Sequence, residues 1–117
     1  MKKVFLASAL ALASLASAPL ALAHAILVTS TPTAHGTVHG PAITVTLKFN
    51  SRVDRSRSRL MLLLPNGATQ TLTLGAQSAP EELDAHADLG PGVYTLRWQA
   101  VAADGHISRG EIPFKVQ

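Results

Sequence analysis

The stretch Ile43-Thr44-Val45-Thr46-Leu47-Lys48-Phe49-Asn50 decides the fold. Its odd positions are all apolar and its even positions all polar, the period-two pattern of a strand with one face buried and the other in water. Tyr94, Leu96 and Trp98 alternate with Thr95, Arg97 and Gln99 in the same way. Ile112, Phe114 and Val116 repeat the pattern near the C-terminus, with Glu111 and Lys115 facing out. Between these lie a more continuous apolar run, Leu60–Leu64, and a Thr/Leu alternation from Thr69 to Leu74. Pro65-Asn66-Gly67 joins the two as a hairpin signal, because Pro presets φ and Asn or Gly accepts positive φ. Gly90-Pro91-Gly92 punctuates the approach to the Tyr94 strand. About seven short strands with turn residues between them, and no long helical pattern, predict an all-β domain: a single antiparallel β-sandwich.

Residues 1–23 have a different composition. Lys2 and Lys3 form a positive start, an apolar run extends through Leu20, and Ala21-Leu22-Ala23 is a small-residue cleavage site, so the segment reads as a secretory signal peptide. The alternative is an uncleaved anchoring helix, since the apolar run is nearly long enough to span a bilayer. The Ser and Pro that interrupt the run, and the Ala-x-Ala triplet, favour cleavage. His24 then becomes the first residue of a mature chain, 24–117, the size of one small domain. The formal net charge of +3 falls to about +1 once Lys2 and Lys3 are gone, so the basic pI is no sign of nucleic-acid binding. The chain has no cysteine, which excludes disulfides and thiolate metal sites. A lysine-started signal without cysteine suits a bacterial periplasm.

Arg52, Arg55, Arg57 and Arg59 fall in a serine-rich stretch between two strand-like runs. A solvated loop accounts for them; docking on an acidic partner or on anionic lipid is the other reading. No Gly-x-Ser-x-Gly elbow or Gly-rich phosphate loop is present, and no nucleophile has an obvious paired base. An enzyme is therefore not expected. Few aromatics and little net charge argue against nucleic-acid recognition.

The five histidines are the remaining candidates for chemistry. Cleavage would give His24 two neutral donors on one residue, an α-amine and an imidazole, which can close a chelate ring on one ion. Tetragonal nitrogen and oxygen coordination with high affinity is the preference of Cu(II). The plain alternative is that the processing enzyme tolerates histidine after its site. Asp104-Gly105-His106 supplies an oxygen and a nitrogen ligand two residues apart, with a glycine that permits a turn; Asp-Gly is equally an ordinary turn. The two features together make the stronger case. His35 and His39 have the i,i+4 spacing of helical zinc sites, but two glycines, Thr37-Val38 and Pro41 argue against a helix and for a flexible loop, with accessory metal capture as the alternative. His86, in the polar run Glu81–His86, reads as a surface residue.

In order and over nearly all of 24–117, the segments "HAILVTSTPTA", "ITVTLKF" and "LGPGVYTLRWQAVAADGHISRGEIPFKV" resemble the CopC family of periplasmic copper-resistance proteins. Gly92, Tyr94, Trp98, Asp104, His106, Gly110, Phe114 and Val116 carry the most specific part of the likeness. The resemblance implies a cupredoxin-like or immunoglobulin-like β-sandwich holding one Cu(II) ion per chain. It also implies the ligands: the amine and imidazole of His24, Asp104 and His106. By family analogy the protein would act in copper homeostasis or resistance as a monomer, by sequestration or by delivery to a CopD-like inner-membrane copper transporter. Two departures matter. Met61 is the only methionine after residue 23, so a thioether-rich Cu(I) site cannot be built. Some members carry a glutamate shortly after the phenylalanine of the "LKF" strand, whereas this chain has Phe49-Asn50-Ser51. Two rivals stand beside this reading: a histidine-brace copper monooxygenase, and a metal-free immunoglobulin-like interaction module, for which the fold alone would serve.

Overall fold

The computed structural model describes residues 24–117; the expected signal peptide, 1–23, lies outside them. The described chain forms eight strands and one short 3-10 turn: β1 (Leu27–Thr31), β2 (Gly36–Val38), β3 (Ala42–Phe49), the turn Arg55–Arg57, β4 (Arg59–Leu63), β5 (Thr69–Leu72), β6 (Glu82–Asp88), β7 (Gly92–Val101) and β8 (Ile107–Val116). They make a three-stranded sheet in the order β1-β3-β6 and a five-stranded sheet in the order β2-β8-β7-β4-β5. Among the described residues no helix is long and apolar enough to cross a membrane.

The expected alternation is realised residue by residue. Ile43, Val45, Leu47 and Phe49 of β3 point inward with Leu83 and Ala85 of β6. From the five-stranded sheet, Leu60, Leu62, Leu72, Tyr94, Leu96, Ile112, Phe114 and Val116 join the same core cluster. The Pro65-Asn66-Gly67 hairpin is present: β4 and β5 pair antiparallel, Gly67 has φ 87°, and Asn66 Oδ1 accepts from the Ala68 N–H at 3.0 Å. Tyr94 donates its hydroxyl to the Gly90 carbonyl at 2.9 Å, fixing the entry to β7.

The expected count and uniformity of strands need correction. The supposed loop His35–Gly40 contains β2, which pairs parallel with Phe114–Val116 of β8, so the described residues have eight strands, with one parallel pair among them. The β-branched Thr37-Val38 favour extended backbone there. The polar run Glu81–His86 also contributes a strand. In β6 only Leu83 and Ala85 are buried, and Glu82, Asp84, His86 and Asp88 alternate outward.

The arginine stretch is likewise more ordered than a solvated loop. Asp54 caps the 3-10 turn, its carboxylate accepting from the Ser56 N–H at 3.0 Å, the Ser56 hydroxyl at 2.7 Å and Arg57 Nε at 2.8 Å. Arg55 donates to the carbonyls of Gly75 and Leu74 at 2.5 and 2.6 Å. The buried Ser58 donates to the Asp54 carbonyl at 2.6 Å and accepts from the Val101 N–H at 3.0 Å, which ties the turn to the end of β7. All four arginines, Arg52, Arg55, Arg57 and Arg59, are nonetheless exposed, as expected.

Trp98 lies between the sheets. It meets Phe49 edge to face at 5.3 Å between ring centroids. Opposite it on β8 is Gly110, where an added Cβ would fall 2.5 Å from Trp98 Cζ2.

Gly110→Ala is therefore expected to destabilise the fold by about 1–3 kcal/mol through overpacking, whereas Gly90→Ala, with nothing within 4 Å of the new methyl, should stay within about 0.5 kcal/mol. Urea unfolding of the two variants checks this, and equal midpoints would contradict the Trp98 packing. The Ser56 and Arg57 hydrogen bonds hold the Asp54 carboxyl down to about 2, from 3.8. A depressed carboxyl contributes stability that is present above its unfolded value and lost as pH falls through the folded one. Asp54→Asn should thus lower the melting temperature at neutral pH, and the gap to the unaltered protein should close between about pH 3.8 and 2.

Candidate metal centre

The site residues come from opposite ends of the described chain. β7 ends at Val101 and β8 begins at Ile107, so Ala102–His106 must reverse direction. The reversal is closed by Gly105 N–H to the Ala102 carbonyl at 2.9 Å and Ala102 N–H to the His106 carbonyl at 2.8 Å. Gly105 sits at φ 92°, in the left-handed region that favours glycine. Val53 forms an isolated bridge to Ala102, and the Asp54 N–H donates to the Val101 carbonyl at 2.7 Å, so the turn is held from below by the capped arginine segment.

Within it, Asp104 Oδ1 accepts from the His106 backbone N–H at 3.1 Å, and Oδ2 lies 2.7 Å from His106 Nδ1. Asp-Gly-His suits either an ordinary turn or a ligand pair. The side chain makes the turn and also touches the histidine ring. The backbone N–H and then the ring of His106 hold the Asp104 carboxyl below the usual carboxylate range. Both side chains are exposed. A carboxylate on one imidazole nitrogen fixes the tautomer and leaves Nε2 as the outward donor, the outer-shell arrangement seen around metal-bound histidine.

His24 lies beside this turn. Its ring stands edge-on to that of His106, 4.7 Å between centroids at 62°. The three residues singled out in the sequence are thus gathered at one end of the molecule. Among the described residues, no three His, Cys, Asp or Glu side chains already form a cage for a metal ion.

The other histidines are elsewhere. His35 donates its backbone N–H to the Pro113 carbonyl at 2.6 Å, and the Gly40 N–H donates to the Gln117 carbonyl at 3.0 Å, so His35 and His39 flank the opposite end of β8 from His106. His86 lies on the outer face of β6 with Nδ1 3.4 Å from Thr44 Oγ1. No sequence signal pointed to Asn50 and Ser51, which bond the segment carrying His24: Asn50 Oδ1 accepts from the Ile26 N–H at 2.8 Å, and Ser51 Oγ donates to the His24 carbonyl at 3.4 Å. Their only cue was the absence of a carboxylate after Phe49.

Comparison with known proteins shows the family of the chain. The model of the CopC domain matches residues 27–117, which include Asp104 and His106 and begin just after His24. Copper resistance protein C of Xanthomonas campestris pv. juglandis is 34% identical over 114 residues, covering 90% of this chain and 88% of that protein. Among solved structures, CopC from Methylosinus trichosporium OB3b superposes with a TM-score of 0.71 at 28% identity, covering 80% of this chain and 94% of that one. PcoC from Escherichia coli, described as a methionine-rich copper resistance protein, superposes at 0.68 with 24% identity over 81% of this chain and 100% of that one, a likeness of fold. With the family match spanning the whole sandwich and its Asp-Gly-His turn, this chain belongs to the CopC family.

Proposed function

We propose that the protein is a periplasmic carrier or store of Cu(II), binding one ion per chain between His24, Asp104 and His106. The observation that carries this reading is the 4.7 Å approach of the His24 and His106 rings across the carboxylate-bearing turn. Processing after Ala23 would add the α-amine of His24, giving three nitrogens and one oxygen, a donor set that suits Cu(II). Met61, the only methionine of residues 24–117, lies on β4 in the five-stranded sheet, so this chain lacks the thioether cluster for a Cu(I) site. Copper binding would break the Asp104–His106 hydrogen bond, with a carboxylate oxygen of Asp104 and the unprotonated ring nitrogen of His106 as the ligands. Affinity therefore falls in acid as the imidazoles and amine regain protons.

The protein either sequesters the ion or carries it to an inner-membrane copper transporter. A monooxygenase is set aside because the family is one of copper-resistance proteins and not of enzymes. The metal-free interaction module is distinguished by titration.

The test begins with the intact mass of the protein recovered from the cell envelope, expected to start at His24. Titration with Cu(II) should then show one ion bound more tightly than by free histidine. One extra residue before His24, or His106→Ala, should weaken binding by more than the roughly 10–100-fold that loss of an outer-shell partner costs. Unchanged affinity in the extended form would remove the amine from the site, and binding no tighter than free histidine would end the copper reading.

A further inference from the structure

The end of β3 grips the chain two residues beyond His24. Asn50 meets Ile26 twice: Oδ1 accepts the Ile26 N–H at 2.8 Å, and the Asn50 N–H donates to the Ile26 carbonyl at 2.9 Å. Ser51 Oγ adds a bond to the His24 carbonyl at 3.4 Å. Between these contacts Ala25 is 1% exposed and belongs to the core cluster. The strand pairing that follows is irregular, with a register shift between Leu27 and Thr29 opposite Phe49 and Lys48. The ladder by itself thus does not dictate how residues 24–26 leave β1. Asn50 is exposed and occupies an outward position, so its side chain has no part in the core.

We infer that Asn50 is a positioning residue for the metal centre: its side chain locks Ile26, and with Ala25 seated in the core this aims His24 at His106 before any ion arrives. A chain end left free would have to be ordered at the moment of binding, at a cost in conformational entropy. Ordering it beforehand removes that cost from the binding step. The inference rests on the copper reading for its purpose, and on the hydrogen bonds alone for its geometry.

The experiment uses the exported protein and its Asn50→Ala and Asn50→Asp variants, examined first without metal by NMR. In Asn50→Ala the Ile26 amide should exchange with solvent about three- to tenfold faster, the range expected for loss of one hydrogen bond, and the cross-peak between the His24 and His106 rings should weaken or vanish. The melting temperature should hold. Asn50→Asp, which keeps an acceptor oxygen, should restore both amide protection and ring contact. Titration with Cu(II) should then show about three- to tenfold weaker binding in Asn50→Ala only. A ring contact that survives Asn50→Ala, or one lost only together with the global fold, overturns the positioning role. Unaltered protein that keeps the ring contact yet binds Cu(II) no better than free histidine overturns the copper reading instead, and Asn50 is then judged on ring contact and amide exchange.

Discussion

The contact between Phe49 and Trp98 sets where the two sheets meet at the site end of the molecule. Phe49 is the last inward residue of β3, and Trp98 shares a row of the other sheet with Leu60 and Gly110. At 5.3 Å and 68° the rings pack edge to face, an arrangement that adds to the apolar area they bury. The indole can lie across β8 only because residue 110 has no side chain. One consequence is structural closure in a domain with few aromatic residues. Another is that Asn50, next after Phe49, and His106, just before β8, are brought to the same end, which allows the first described residues to meet the β7–β8 turn.

Much of this was legible because burial on one face imposes a period that survives without any alignment. β3, β7 and β8 each have large apolar residues at alternate positions, and the β4–β5 hairpin announces itself through Pro65-Asn66-Gly67. β6 escaped because its inward face is carried by Leu83 and the small Ala85 and Ala87, while four polar residues dominate the composition. β2 escaped because three residues are too few to show a period, and its parallel pairing to β8 is fixed by a partner about eighty residues away.

The site divides along the same line. His24, Asp104 and His106 could be picked out by residue type, since few groups in a cysteine-free chain can hold a transition metal. Asn50 could not, because a hydrogen bond to Ile26 across 24 residues leaves no local pattern. The arginines are exposed, as the sequence suggests, but two of them also have a structural part. Arg55 and Arg57 look like solvated charge in sequence, yet they bond the Leu74 and Gly75 carbonyls and the Asp54 carboxylate, and the turn they complete supports Val101 and Ala102 beneath the Asp104 loop.

The exposure of the centre has a chemical consequence under the copper reading. Asp104 and His106 are already satisfied by each other at 2.7 Å, so an incoming ion must replace a charge-assisted hydrogen bond that is favourable in its own right. That competition weakens binding, but it also keeps the carboxylate ionised and the ring oriented while no ion is present. His24 contributes differently. While residue 23 remains attached, the nitrogen of His24 is a peptide amide whose lone pair is delocalised into the carbonyl, and only cleavage converts it to an amine. Under the copper reading, a turn prepared in advance and a terminus that becomes a donor only on processing would give a site whose full strength appears once residue 23 is removed. Because both halves stay open to water, such a site favours capture and release over permanent retention.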